Sequence, residues 1–413
     1  MLLKNKINIY LIFVLSLFVS FFFKENSSGG AEMDYRFLYY YIESFSIDFK
    51  NGFNDFLNNQ GSLIHSPIHY ILSGFLLKIS ESILFVKIIY LLISSLLPFI
   101  FYLILKKKFS SNSDYLFYLS LIIFFSPYYR SSAVWLLGDN LSLIFFSLSI
   151  YFYTCSIDNN ASRNFYLCII FLALCCYIRY YYVLFLIFYL SKFYYRIPIQ
   201  FFLKLLVLCA IISLPAIYYF IYIFLNFDFF NLLKNKTSLN LIQNSLIILS
   251  IIFFYIFPFI IQKFKSEFKS ITLLFITILI INFFISYFFF SSSSNEIWNS
   301  IGGGIFVKIF LLMNTDIKFF LLLISIFCIY VLNNLFKGNL FNNYFLILIL
   351  ILSLPFSIIY QKYLDPLFLI LFFGLIESKE LNNLINKKKI NLTFVYLYFI
   401  GFLTFSNFYY YLN

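Results

Sequence analysis

The stretch ILFVKIIYLLISSLLPFIFYLILKKK, residues 83–108, is an apolar run stopped by Lys106, Lys107 and Lys108. A run of this length is predicted to cross a bilayer as an α-helix, because about 20 residues span the hydrocarbon and every backbone amide there needs a partner within its own segment. The three lysines mark a cytoplasmic end. Outward from this run the pattern repeats. Before it, a span over about 7–23 starts behind Lys4 and Lys6, so residues 24–82 emerge on the far side as a first outer loop. After it, a third span runs from near Asp114 to Pro127 and a fourth from Asp139 towards Cys155, and two more turn near Arg179. Further passes enclose a second outer loop at 291–316, and the last one takes the C-terminus outside.

The composition agrees. A chain of 413 residues that is 62% hydrophobic and 11% charged, with a mean hydropathy of +0.92, has too little polar surface to cover a soluble globule. Seventeen of the 29 Lys and Arg fall in the alternate stretches assigned to the inside, against five acids, and the other stretches carry twelve of each sign. The whole net charge of +12 is thus expected on one side of the membrane. The expected fold class is all-α: a polytopic transmembrane helix bundle of about 11–13 spans, one integral membrane domain over 1–413, with interfacial helices in the first outer loop. The basic pI of about 9.2 does not indicate nucleic-acid binding, since the cations are spread over many short loops. Six cysteines in or beside apolar runs, with no C-x-x-C spacing, indicate neither a zinc site nor a disulfide framework. The first apolar run ends at Phe21, Phe22 and Phe23 without a small-residue cleavage site, so it is expected to stay as a span.

The unusual polar residues gather on the outer side. Asp34 follows the first span by about ten residues and precedes the aromatic stretch Tyr35–Ile42, which would lie in the interface plane. Its plain alternative is a solvated loop carboxylate. In His65-Ser66-Pro67-Ile68-His69-Tyr70, Ser66 can cap a helix and Pro67 fits its first position. His65 and His69 are spaced four apart, but no Glu or third ligand accompanies them, and no metal role is assigned. Asp139 opens the fourth span and needs a partner, Arg130 or Arg179, unless it is a simple N-terminal carboxylate favoured by the helix dipole. Late in the chain, Tyr360-Gln361-Lys362-Tyr363 sets a cation between two tyrosines at a membrane edge, as an interfacial anchor or a holder of lipid phosphate.

Taken in order, these pieces resemble membrane glycosyltransferases of the C-type (GT-C) fold that use polyprenyl-phosphate sugars, above all glycosyltransferase family 39, the protein mannosyltransferase and aminoarabinose transferase group. Glu32-Met33-Asp34-Tyr35 stands where that family has its first-loop acid, and Ser66-Pro67-Ile68-His69-Tyr70 resembles a Pro-Pro-Leu-like helix start with one Pro lost. Pro127, Asp139 and Arg179 match its later Pro, acid and basic residue. Lys362-Tyr363-Leu364-Asp365-Pro366 echoes a closing Arg-Tyr-x-x-Pro, with Lys for Arg and an unusual Asp365. The likeness covers residues 1 to about 200 and, more weakly, 355–380. The first part is also similar to the eukaryotic lipid-linked alpha-1,2-glucosyltransferases.

The resemblance implies inverting sugar transfer from a polyprenyl-phosphate donor to a lipid, glycan or protein acceptor, on the periplasmic face of a bacterial inner membrane, with the N-terminus cytoplasmic. Asp34 is then the general base, and Asp139 supports the acceptor or orients the surroundings of Asp34. Lys362, with Arg130 or Arg179, binds the phosphate, and Glu32, His65 and Tyr363 complete the substrate contacts. No cofactor is indicated; Glu32, Asp34 and Asp139 form the nearest approach to a divalent-metal set. A transporter would concentrate ionisable residues near the bilayer midplane, where they are sparse here. A polysaccharide polymerase or ligase would carry its main outer loop in the later half. A membrane subunit without activity is the third alternative.

Overall fold

The computed structural model describes residues 2–58, 66–159, 161–226, 241–264, 302–313, 317–356 and 358–412, which are helical almost throughout. Seven helices among them are long and apolar enough to cross a membrane, which makes the chain a polytopic membrane protein. This is fewer than the spans expected. Several expected passes are instead short or broken helices, and the one before residue 291, like most of the second outer loop, lies outside the described residues. The chain divides into two compact units, Met1–Leu233 with Phe399–Asn413, and Lys234–Tyr398.

The first unit begins with α1 (Leu2–Phe22). The first outer loop follows as α2 (Ala31–Ile47), α3 (Phe49–Asn58) and α4 (Ile68–Ser80), helical as its aromatic pattern suggested. Next come α5 (Ile83–Ser94), α6 (Leu96–Lys108), α7 (Ser113–Ser120), α8 (Pro127–Val134) and α9 (Asp139–Asn159). Then α10 (Ser162–Ile178), α11 (Phe185–Tyr194) and α12 (Ile199–Asn226) follow. The third expected span is α7 continued only by a 3₁₀ segment, Leu121–Phe125. It stops because Ser126 precedes a proline and is held extended, and the Ser126 hydroxyl then caps α8 by accepting from the Tyr129 amide at 3.0 Å. The turn expected near Arg179 is present: that residue is extended between α10 and a 3₁₀ turn at Tyr180–Leu184.

The second unit contains α13 (Leu241–Phe264), α14 (Gly304–Leu312), α15 (Ile317–Leu335), α16 (Leu340–Leu352), α17 (Leu367–Gly374), α18 (Lys379–Asn386) and the start of α19 (Leu392–Leu412). Residues 304–312, expected as outer loop, are the apolar helix α14. Helix α13 packs against α14, α15 and α16.

Proline breaks in the long spans show how backbone groups are satisfied in hydrocarbon. A proline frees the carbonyl four residues before it, and that oxygen needs another donor. Pro98 frees the carbonyl of Ser94, where α5 gives way to α6, and the buried Tyr129 hydroxyl donates to it at 2.9 Å. Pro258, inside α13, frees that of Phe254, and the Tyr398 hydroxyl donates to it at 3.1 Å. Two proline positions in different units thus share one remedy. Tyr129→Phe or Tyr398→Phe strands a buried acceptor and is expected to cost about 1–3 kcal/mol, read as a lower unfolding temperature at unchanged helix content. An unchanged melting temperature in both variants would contradict this account of the breaks.

The segment expected as the first outer loop rests on a buried aromatic cluster of Tyr41, Phe45, Phe56, Tyr70 and Tyr90. It closes tightly because α4 presents Gly74 to α2: a Cβ there would sit 2.8 Å from the Ile42 carbonyl oxygen.

Candidate functional site

Charge collects at the two ends of the first unit. At one end Lys6 of α1 pairs with Asp114 of α7, and Lys107 of α6 pairs with Asp158 of α9 at 2.8 Å. At the other lie Glu25, Glu32, Asp34, Arg130, Asp139 and Arg179, in segments that flank the opposite ends of the same helices.

Asp139 is the first residue of α9 and faces Arg179, the break at the end of α10. The Arg179 Nη2 donates to Asp139 Oδ2 at 2.9 Å, and Nε lies 2.8 Å from Oδ1. Both side chains keep about a fifth of their surface exposed, 23% and 21%. This ion pair, formed across 40 residues of sequence, goes beyond the dipole-favoured carboxylate that Asp139 could have been on its own. Burial works against the Arg179 charge, but Asp139, with Tyr181 and Tyr70, more than offsets it and the guanidinium is held firmly protonated. Its Nη1 makes no hydrogen bond to the described residues.

Asp34 lies in the first turn of α2 and is half-buried. It reaches the same neighbourhood through Tyr70 of α4. Burial pushes the Tyr70 hydroxyl above the ordinary phenol range; Arg179 opposes this, and Tyr41, Asp34 and Asp139 add to it. Asp34 and the Asp139–Arg179 pair therefore share Tyr70 as an electrostatic neighbour. Glu32, two residues earlier, is tied on the surface to Arg36 at 2.7 Å, one turn along α2.

His69 lies behind the cluster, buried, with Nε2 2.9 Å from the Leu136 carbonyl oxygen. A carbonyl only accepts, so Nε2 carries the proton and Nδ1 is an acceptor, one without a partner among the described residues. Burial lowers the His69 pKa to about 4, despite the Leu136 bond. The folded imidazole is therefore neutral at physiological pH, whereas in the unfolded chain it titrates near 6.5. The unfolded state binds more protons between those values, so stability is expected to fall as pH drops from about 6.5 towards 4. Unfolding midpoints of wild type and His69→Gln across pH 4–7 test this: the variant should lose much of the slope, and parallel curves would refute it.

Arg130 is not the partner of Asp139. It is buried against α1, where Nε donates to Glu25 Oε1 and Oε2 at 3.1 and 3.0 Å, and Nη1 to the Ser16 hydroxyl and Phe124 carbonyl, each at 3.2 Å. Nη2 donates to the Ser16 carbonyl at 3.2 Å and to the Ser20 hydroxyl. Every guanidinium hydrogen is used, which makes Arg130 a fastener between α1 and α8 rather than a residue open to substrate. The Trp135 indole donates to the Glu25 carbonyl at 2.8 Å, and the Ser27 hydroxyl donates to the Pro127 carbonyl at 2.9 Å, so the 25–28 segment is pinned to α8.

The other expected residues divide as follows. Ser66 is not the N-cap residue, but its hydroxyl accepts from the Ile68 amide at the start of α4 at 3.4 Å and donates to the Tyr177 carbonyl near the end of α10, joining the two helices beside Arg179. Pro67 stands just before the first helical residue. His65 lies outside the described residues. Lys362 and Tyr363 belong to the second unit, in a 3₁₀ turn where Lys362 Nζ sits 5.2 Å from the Tyr360 ring centre and the Tyr363 ring packs on Phe356. The sequence reading passed over two residues of the outer end: Glu25, whose partner is 105 positions away, and Lys87, a lone cation inside the apolar run 83–105. An ionisable residue within a span is the signal that could have flagged Lys87. Among the described residues no group of three or more His, Cys, Asp or Glu side chains gathers to hold a metal.

No family model, curated protein or solved structure matches this chain.

Proposed function

We propose that this chain is a membrane glycosyltransferase of the GT-C type. It moves a sugar from a polyprenyl-phosphate donor to a lipid, glycan or protein acceptor, in the cell envelope. The outer face of a bacterial inner membrane is the side assigned to Asp34, Asp139 and Arg179, with the lysines of α6 and the N-terminus in the cytoplasm. The observation that carries the reading is the meeting, around Tyr70, of a carboxylate from the first outer loop with an acid–base pair from two other helices.

The acceptor hydroxyl attacks the anomeric carbon from the face opposite the phosphate and gives its proton to Asp34. The bond from that carbon to the phosphate oxygen breaks, the phosphate leaves with the electron pair, and the configuration inverts. A lipid phosphate is a good leaving group, so the residues most needed are a base for the attacking hydroxyl and a cation for the departing charge. Arg179 supplies the cation through its Nη1, while Asp139 fixes the guanidinium plane. Arg130, fully engaged by Glu25 and its neighbours, drops out of the mechanism. Lys362 stands apart from it, because the proposal rests on the first unit alone.

The assay is transfer from radiolabelled polyprenyl-phosphate sugars, with membranes made with and without the protein. Label should move into a lipid, glycan or protein fraction only when the protein is present. Label that crosses the bilayer still attached to its carrier would favour a transporter instead, and no movement with any donor would defeat the enzyme reading.

A further inference from the structure

One cation at the outer end has no part in the reaction above. Lys87 lies one turn into α5, in a helix otherwise built of apolar and hydroxyl residues, where a charged side chain calls for a partner or an outlet to water. Its ammonium sits 3.7 Å from the centre of the Tyr35 ring and 5.1 Å from that of Trp135. Tyr35 directly follows Asp34 on α2, and Trp135 ends α8 just ahead of Asp139. The lysine is therefore clamped between the two segments that carry the candidate carboxylates.

Ring faces attract an ammonium ion but do not neutralise it. The charged neighbours of Lys87 are Lys24, exposed at the end of α1, and Glu32. Glu32 is held by Arg36, and neither Lys87 nor Lys24 forms an ion pair with a described carboxylate. Lys24 repels the Lys87 charge, against a partial attraction from Glu32. An anion between the two lysines would turn that repulsion into attraction.

We infer that Lys87 and Lys24 bind the phosphate of a lipid. The aromatic pair holds the Lys87 stem against the apolar wall, and an ammonium group has three donors to offer phosphate oxygens. Lys24 closes the site from the water side. A phosphate monoester, with three acceptor oxygens and a charge approaching −2, matches two ammonium groups better than a single carboxylate does. The hydrocarbon tail would continue along the exposed apolar surface of α5, where Leu84 and Phe85 face outward. The inference deepens the transferase reading if the monoester is the polyprenyl phosphate released from the donor, yet it is tested by binding alone, so either can fail without the other.

Trp135 is the reporter. With Trp298→Phe removing the only other tryptophan, the purified full chain is titrated with farnesyl monophosphate, farnesol and inorganic phosphate while Trp135 emission is followed. Farnesyl monophosphate should give a saturable change at a concentration about ten-fold or more below that needed for inorganic phosphate, and farnesol should give none. Lys87→Met should weaken that binding by about ten-fold, Lys24→Gln by a smaller factor, and Lys87→Arg should retain it. Equal saturation by inorganic phosphate would keep the anion site and overturn its lipid source. A response to farnesol as strong as to its phosphate, or binding unchanged in both Lys87→Met and Lys24→Gln, would overturn the proposal. If Lys87→Met does not fold, the exposed Lys24 position decides.

Discussion

Asp34→Asn should lower sugar transfer by about 10²–10⁴-fold, the usual contribution of a positioned general base, while the protein stays inserted and folded. The substitution is nearly isosteric, and Asp34 is half-buried in the first turn of α2 rather than in the aromatic cluster beneath it. It removes the proposed base and leaves the Asp139–Arg179 pair intact. Asp34→Glu keeps the base but displaces it, so an intermediate rate is expected. The measurement is the initial rate in proteoliposomes, with melting temperature as the control for folding. Full activity in Asp34→Asn would take the residue out of the reaction, and a collapse of the melting temperature would recast it as structural.

Arg130→Met should cost about 3–5 kcal/mol of stability, the range for breaking a buried ion pair by removing one partner. Both members are nearly covered, with 10% and 11% of their side-chain surfaces exposed, so solvent screens the pair little. The variant leaves the Glu25 carboxylate facing buried serine and carbonyl oxygens that formerly accepted from the guanidinium. Glu25→Gln should be destabilising too, and the double variant should recover part of the loss, because the stranded charge is then gone. Denaturant unfolding of the three variants reads this. A loss below about 1 kcal/mol in Arg130→Met would show that the pair behaves like an exposed one.

The membrane character of the fold was legible because it rests on local properties. Apolar length, the lysine stop at 106–108 and the proline that opens α8 each act on their own segment. The acids that share Tyr70 as an electrostatic neighbour, Asp34 and Asp139, were also legible, since each lies close to the end of a long apolar run. The pairing was not. Whether Asp139 takes Arg130 or Arg179 depends on how α8, α9 and α10 pack, and the sequence offered both. Arg130 is drawn away by Glu25 because the turn after α1 folds back over α8, a contact 105 residues long in sequence. Among the described residues fewer helices reach spanning length than expected, for a related reason. Apolar stretches at 113–125 and 185–194 have spanning composition but are shortened by 3₁₀ segments and turns, which hydropathy does not register. Lys87 was hidden by the run that made residues 83–108 so clear as a span.

The central claim is that Asp34 and Asp139 come together around Tyr70 on the outer side of the membrane. Cysteines placed at both positions in a cysteine-free background, and treated in sealed cells with a membrane-impermeant bis-thiol reagent, test it most directly. The account predicts that mass spectrometry finds a peptide from α2 joined to one from the start of α9. Single-site labelling of each cysteine without any joined peptide, or joining only after the reagent is admitted to the cytoplasm, would contradict it.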